Sequence, residues 1–387
     1  MKEHEFFFKY GLIGDNLNLK MEIYIEIDDE GFISYISYRN PDNILDISEQ
    51  EPSLLVIPGF INSHVHIGDS FAKEKGFNLE LAEVVAPPSG LKHKLLNNIA
   101  EEIIIKGIQF SVREMLSNGI TTFIDFREQG IEGIKLIRKA LEKSLINYLI
   151  LGRFKNQKDL ELVFQKADGI GLSSYRVISE SIKTEILKLK QSNNKIIACH
   201  VAENKRNPEL FLQLLNDNIV DIIVHGTKLE REDLKLLLQN GLRLILCPRC
   251  NGYFGVGFPP IKSILDLNIP ISLGTDNIMA NSPDMFEELR YLYRISRVLS
   301  PKKKLEAKDL LKMATINGAR QFGLENKLGS ISKGKQADFF IIDLSAPNYY
   351  VSELKNNLVY ALIMQRTNSL NILRTYIRGK LAFENKS

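Results

Sequence analysis

The pair with the plainest chemical potential in this chain is His64-Val65-His66, which ends the apolar run LLVIPGFIN and precedes a turn-like IGDS. In an extended strand, residues two apart face the same side, so both imidazoles point into one region at the strand's C-terminal end. Two neutral imidazoles held in that way can chelate a divalent metal. An isolated HxH is weak, because two core or surface histidines read identically. The remaining histidines change the weighing: of six in the chain, His200 and His225 also fall at predicted strand ends, and only His4 and His93 lie elsewhere. A shared cluster is therefore favoured over four separately satisfied structural histidines.

Two carboxylates join them. Asp276, in LGTDN, ends an apolar run where an unpaired carboxylate is expensive to bury and a cation would neutralise it. The plainer reading of Asp276 is a helix N-cap, but Asn277 or Ser282 can serve the helix that starts near Asp284. Glu203, three residues past His200 in CHVAEN, is placed to move protons without ligating, although a lone loop glutamate is more often solvated. Arg127, Arg153 and Arg249 also close predicted strands, where guanidinium groups clamp substrate carboxylates or phosphates or else pair with neighbours such as Glu128. If at least two face the pocket, an anionic substrate is favoured. Cys247 and Cys250 form a single C-x-x-C pair, weak evidence for metal or redox work.

Elements must bring these groups together. The middle of the chain repeats a short apolar run, a polar turn and an amphipathic stretch, and predicts eight strands beginning at Val56, Gly119, Ile146, Gly169, Lys195, Ile219, Leu242 and Ile269. Leu95, Leu96, Ile99, Ile103, Phe110 and Leu116 mark a crossover helix between the first two. Eight such units match an α/β (β/α)8 TIM-type barrel, which needs about 250 residues. An open doubly wound sheet is disfavoured, because the polar residues sit at several strand ends rather than in one Gly-rich turn. LKMEIYIEI and GFISYISYR near the start, with KQADFFIIDL and LRTYIRGKLAFEN near the end, alternate like strands. We expect residues 1–54 and 331–387 to form one composite β domain beside a barrel of 55–330.

Composition narrows the partners. Fifty Lys+Arg against 47 Asp+Glu, without a dense basic stripe, give no electrostatic case for nucleic acid. No uncharged apolar run is long enough to cross a membrane, and acidic residues interrupt the apolar N-terminal stretch that a secretion signal would need. Three cysteines are too few for a disulfide framework. The expectation is a cytoplasmic enzyme with a small-molecule substrate, no nucleic-acid or membrane partner, and homo-oligomerisation left open.

Taken with their order and spacing, these elements resemble the metal-dependent amidohydrolase superfamily, in its mononuclear deaminase and chlorohydrolase branch. PGFINSHVHIGDS is similar to that branch's first-strand signature, CHVAE to its HxxE element, VHG to its sixth-strand histidine and LGTDN to its eighth-strand aspartate. GSISKGKQADFFIIDL resembles the segment that re-enters the β domain. The resemblance implies one divalent ion, Zn(II) or else Fe(II), on His64, His66, His200 and Asp276, with Asp276 also taking a proton from water. It implies Glu203 as the proton carrier to a ring nitrogen and His225 as a stabiliser of the attacking water. Binuclear relatives carry a strand-four lysine, whereas ADGIGLSSYR has none; Lys155 would reopen the matter only if the strand count slipped. PRCNGYFGVGFPP is similar to the PxSN element, which places Asn251 at the substrate with Cys250 where serine is usual. The loop from Asp69 to Lys94 is long enough for a lid that brings His93 or Lys92 over the pocket, although an ordinary surface loop is the commoner case.

The leading reading is hydrolytic deamination of an amino-heterocycle, one bearing an anionic group if two of the arginines face the pocket. Hydrolysis of a cyclic amide, amidine or C–Cl bond is the runner-up. An inactive barrel acting as a binding module is disfavoured by the unbroken ligand set. The unrelated zinc deaminases with H-x-E and P-C-x-x-C are disfavoured, since neither pattern occurs.

Overall fold

The computed structural model describes residues 4–47, 51–193, 195–302 and 305–385. The strands are β1 (Glu5–Ile13), β2 (Asn18–Ile27), β3 (Ile33–Arg39), β4 (Leu54–Pro58), β5 (Phe60–His66), β6 (Ile120–Arg127), β7 (Asn147–Gly152) and β8 (Gly169–Leu172). They continue with β9 (Ile196–Val201), β10 (Ile222–His225), β11 (Arg243–Leu246), β12 (Ile271–Leu273), β13 (Asp276–Asn277), β14 (Phe339–Asp343), β15 (Ile372–Ile377) and β16 (Lys380–Glu384).

Strands β5 to β12 lie side by side in parallel, and β13, two residues beyond β12, pairs back onto β5. The ring of the expected (β/α)8 barrel thereby closes. Its strands read as continuous apolar runs because interior side chains fill one face and helices cover the other. Every residue of β6 is buried, for instance. The predicted crossover helix divides: Leu95 and Leu96 lie on the helix Leu91–Asn98, capped by Ile99, and Glu101–Ser117 follows, burying Ile104, Ile108, Val112 and Met115 and leaving Ile103 and Phe110 exposed.

Two predicted strands are each divided. The run expected from Val56 turns at Gly59 into β4 and β5, because a methyl at Gly59 would lie 2.1 Å from the Thr121 hydroxyl oxygen. The run expected from Ile269 breaks at Gly274-Thr275 into β12 and β13. A side chain at Gly274 would lie 2.5 Å from His64 Cβ, so the break lets the ring close tightly against the first histidine. Thr275 N–H donates to Asn62 Oδ1 at 3.0 Å and Asn62 Nδ2 donates to Thr275 Oγ1 at 2.7 Å, which fastens the break to β5. Gly274→Ala is expected to destabilise the metal-free protein by about 1–3 kcal/mol, the usual cost of overpacking, measured by denaturant unfolding.

The second sheet has seven strands in the order β16-β15-β14-β4-β1-β2-β3 and is drawn from both ends of the chain, as their alternation predicted. Here β4 is central, parallel to β1 and antiparallel to β14, with Ile57 opposite Phe340. Phe8, Ile23, Ile25, Val56, Phe339 and Ile341 form its apolar core. Among the described residues no helix is long and apolar enough to cross a membrane.

Candidate active site

All the chemically marked residues arrive at the C-terminal edge of the barrel strands. His64 and His66 end β5, His200 lies in β9, His225 ends β10 and Asp276 opens β13. His64 Nε2 is 3.2 Å from Asp276 Oδ1, and His66 Nε2 is 3.5 Å from the same oxygen and 3.4 Å from His200 Nε2. Two nitrogens on one tetrahedral zinc, each about 2.1 Å from it, stand about 3.4 Å apart, so this spacing suits a cation between them. The other ring nitrogens are occupied: His200 Nδ1 meets Leu172 O at 2.7 Å and His66 Nδ1 meets Phe126 O at 2.9 Å. Those carbonyls hold the protons on Nδ1 and leave both Nε2 atoms bare toward the centre. Buried His64 Nε2 likewise points at Asp276 Oδ1, toward the same centre.

The electrostatics agree with a ligating set. Burial lowers His66 to about 4 and holds His200 well below the usual imidazole range, so both are neutral, the form that binds metal. Burial would raise Asp276, but the hydrogen bond and charge of His64, with His225 and His66, hold it well below the usual carboxylate range. Asp276 and His225 both adopt left-handed backbone, with φ 60° and 72°. Such strain on non-glycine residues costs roughly 1–3 kcal/mol and persists where the surroundings dictate a side chain's aim. The Asp276 carboxylate is not the helix cap; Asp284 caps Met285–Leu299 by accepting from Glu287 N–H at 3.1 Å.

Glu203 sits on the turn after β9, which the left-handed Ala202 (φ 51°) starts. Its Oε2 is 3.6 Å from His225 Nε2, and that nitrogen is 4.0 Å from Asp276 Oδ2. Burial, reinforced by the Asp276 carboxylate and opposed by Lys92, raises Glu203 to about 8. It is therefore a protonated acid at neutral pH. His225 Nδ1 meets Asn251 Oδ1 at 3.1 Å, which puts the proton on Nδ1 and leaves Nε2 as an acceptor facing the site.

The expected substrate contacts divide. Arg153 lines a cavity of about 410 Å³ with His93, Gln129, Asn156 and Ser173, and its Nε has no hydrogen-bond partner. His93 remains at that cavity, with Nε2 3.2 Å from Val85 O, and burial lowers it to about 4. A second cavity of about 320 Å³ borders His200, Glu203 and Ser173. Arg127 departs from the expectation: its guanidinium is wholly enclosed behind Gly68, among Asp125, Glu128 and Gln129, because β6 is covered on both faces. Arg249 likewise turns away, donating to Ser282 O at 3.1 Å and pairing with Glu288, and so ties the helix Pro248–Tyr253 to the helix Met285–Leu299. Asn251 is fully buried with its amide spent on His225 and Thr227, which makes it a support for His225 rather than a substrate contact. Only Arg153 of the three arginines reaches a cavity.

Sequence reasoning missed Glu128 and Asp69 as neighbours of the site and placed Lys92 over the pocket, whereas it is enclosed beside Glu128. Lys92 and Glu128 are buried as a pair 2.6 Å apart, and Glu128 Oε1 lies 2.7 Å from His66 Nδ1. Asp69 accepts from Asn277 Nδ2 at 2.7 Å and Met279 N–H at 3.0 Å, which fixes β13 onto the turn after β5. Asp69 follows the histidine pair so closely that its place in IGDS was a usable signal; the inward turn of Lys92 left none. Cys250 is a buried free thiol whose side chain bonds to Asp276.

Known proteins are similar to this chain in sequence and in fold. The chain is 34% identical over 347 residues to a putative aminohydrolase of Methanothermobacter thermautotrophicus, spanning 85% of this chain and 86% of the relative. It is 29% identical to a 5-methylthioadenosine/S-adenosylhomocysteine deaminase of Thermoanaerobacter pseudethanolicus, covering 94% and 89% of the two chains. Its fold matches a zinc-bound adenosine deaminase from Xanthomonas campestris with a TM-score of 0.81 at 17% identity, over 97% and 92% of the chains. The E. coli guanine deaminase follows with a TM-score of 0.76 at 19% identity, over 99% of each. With a match to the Amidohydrolase family over residues 55–382, and with histidines and an aspartate converging at the mouth of a barrel, this chain belongs to the amidohydrolase family.

Proposed function

We propose that the chain is a hydrolytic deaminase of an amino-heterocycle that works with one divalent cation, zinc in the first instance and iron(II) as the alternative, on His64, His66, His200 and Asp276. The observation that carries the reading is the partly buried Glu203 carboxyl, 3.6 Å from His225 Nε2 and beside that donor set. The deaminases among the relatives point the same way.

A cation held there lowers the pKa of water from about 16 toward about 7 and so supplies a nucleophile at neutral pH. Asp276, kept ionised, accepts the proton that water gives up. His225 offers the Nε2 lone pair to the same water and aims it, with Asn251 holding the ring's tautomer. Glu203 donates its proton to the ring nitrogen next to the carbon under attack; as the C–N bond breaks, the proton held by Asp276 passes to the departing amine and the proton of the new hydroxyl returns to Glu203. Water and the amino-heterocycle thus become the ring carbonyl compound and ammonia.

The substituent on the ring occupies the cavity beside Arg153, whose guanidinium suits a carboxylate or phosphate. Arg153→Met is expected to raise KM about 10- to 100-fold for anionic substrates, the worth of a charged hydrogen bond, and to leave neutral ones nearly unchanged. The decisive experiment is a screen of metal-reconstituted enzyme for ammonia release across anionic and neutral amino-heterocycles. Release of chloride, or ring opening without ammonia, would move the assignment to the hydrolase alternatives, and no product from any loaded preparation would end it.

A further inference from the structure

The proposed chemistry leaves unused a group of enclosed charges behind the metal site. Lys92, on the helix Leu91–Asn98, is 2% exposed, and its Nζ is 2.6 Å from Glu128 Oε1 and 4.0 Å from Asp69 Oδ2. Glu128 in turn places Oε1 2.7 Å from His66 Nδ1, and Asp69 holds Asn277, the neighbour of Asp276. Two unbroken paths therefore run from one short helix to two positions of the donor set.

Such a cluster is costly to bury. Replacing a buried ion pair by apolar residues is often neutral or stabilising, whereas removing one partner is strongly destabilising. Stability alone thus gives little reason for an ammonium and a carboxylate at this place. Position gives one. His66 Nδ1 lies between two acceptors, the Phe126 carbonyl and Glu128, so its proton stays there and Nε2 stays free. A cation on Nε2 draws electron density from the ring and strengthens the Nδ1–H contact to a carboxylate more than to a neutral carbonyl. A carboxylate so engaged remains charged, and within this enclosure Lys92 compensates it only while the helix is docked.

We propose that Glu128 is a positioning residue for His66 and that, through Lys92, it couples docking of the helix Leu91–Asn98 to cation binding, each favouring the other. By linkage the factor is the same in both directions. The inference rests on His66 being a metal ligand, and the test separates the two ideas. Zinc affinity is measured by competition with a chromophoric chelator, and amide hydrogen exchange of residues 91–98 is followed with and without zinc. In the wild type, zinc is expected to slow exchange in that helix. Glu128→Gln is expected to weaken zinc about 10- to 100-fold, as loss of such a partner typically does, and to abolish the zinc-dependent slowing. Because Glu128→Gln strands Lys92, the Lys92→Met/Glu128→Gln double variant, which buries no charge in the pair, is measured beside it with the same expectation. Zinc bound by the wild type with no slowing in 91–98 would overturn the coupling, as would a folded double variant within threefold of wild-type affinity. Failure of the wild type to bind zinc at all would instead remove the metal reading.

Discussion

Replacing Glu203 with glutamine is expected to slow turnover by about a hundredfold to ten-thousandfold, the span that positioned acid–base groups contribute, while metal content stays at the wild-type level. Glutamine keeps the shape of the side chain and can still hydrogen-bond a ring nitrogen, but it has no proton to give. The pH dependence separates this role from a structural one. Burial raises Glu203 to about 8, so its acid form predominates below that pH and is lost as the pH rises through it. The rate is expected to fall on the alkaline side near that value, and the limb should vanish in the variant. Steady-state kinetics across pH, with elemental analysis of the same samples, checks both. A variant that retains wild-type turnover would take Glu203 out of the mechanism.

Asp276→Asn should cost more, because one substitution removes two services. Proton acceptance alone is worth about a hundredfold to ten-thousandfold, and loss of an anionic ligand weakens cation binding as well. We expect turnover to drop by about four orders of magnitude or more, with metal lost on dialysis against a chelator that leaves the wild type loaded. The geometry explains why no neighbour substitutes: Oδ1 lies within 3.5 Å of both His64 and His66, while Glu203 faces His225 instead. Full metal retention in this variant would contradict the ligand set.

Much of this site was legible before any coordinates, for a definite reason. In a barrel of this kind, ligands project from strand ends, so His64, His66, His200, His225 and Asp276 announce themselves as polar residues closing apolar runs. The barrel and the terminal sheet were readable from the same contrast between continuous and alternating strands. What local pattern could not convey was how each charged side chain is enclosed. Arg127, Arg153 and Arg249 look alike in sequence, yet one is sealed behind Gly68, one lines a cavity and one fastens a helix. Lys92 reads as a surface lysine in a loop, and only its pairing with Glu128, 36 residues away, turns it inward. The breaks at Gly59 and Gly274 were hidden likewise, since each answers to an atom from a distant strand.

The central place of β4 in the terminal sheet bears on how the protein comes to exist. That strand runs through Gly59 into the one carrying His64 and His66, yet its partner β14 is made roughly 280 residues later. At about 5–20 residues per second, the ribosome leaves the first two histidines waiting some tens of seconds for the strand that frames their base. A topology so rich in distant pairings makes completion of this sheet a late and slow step.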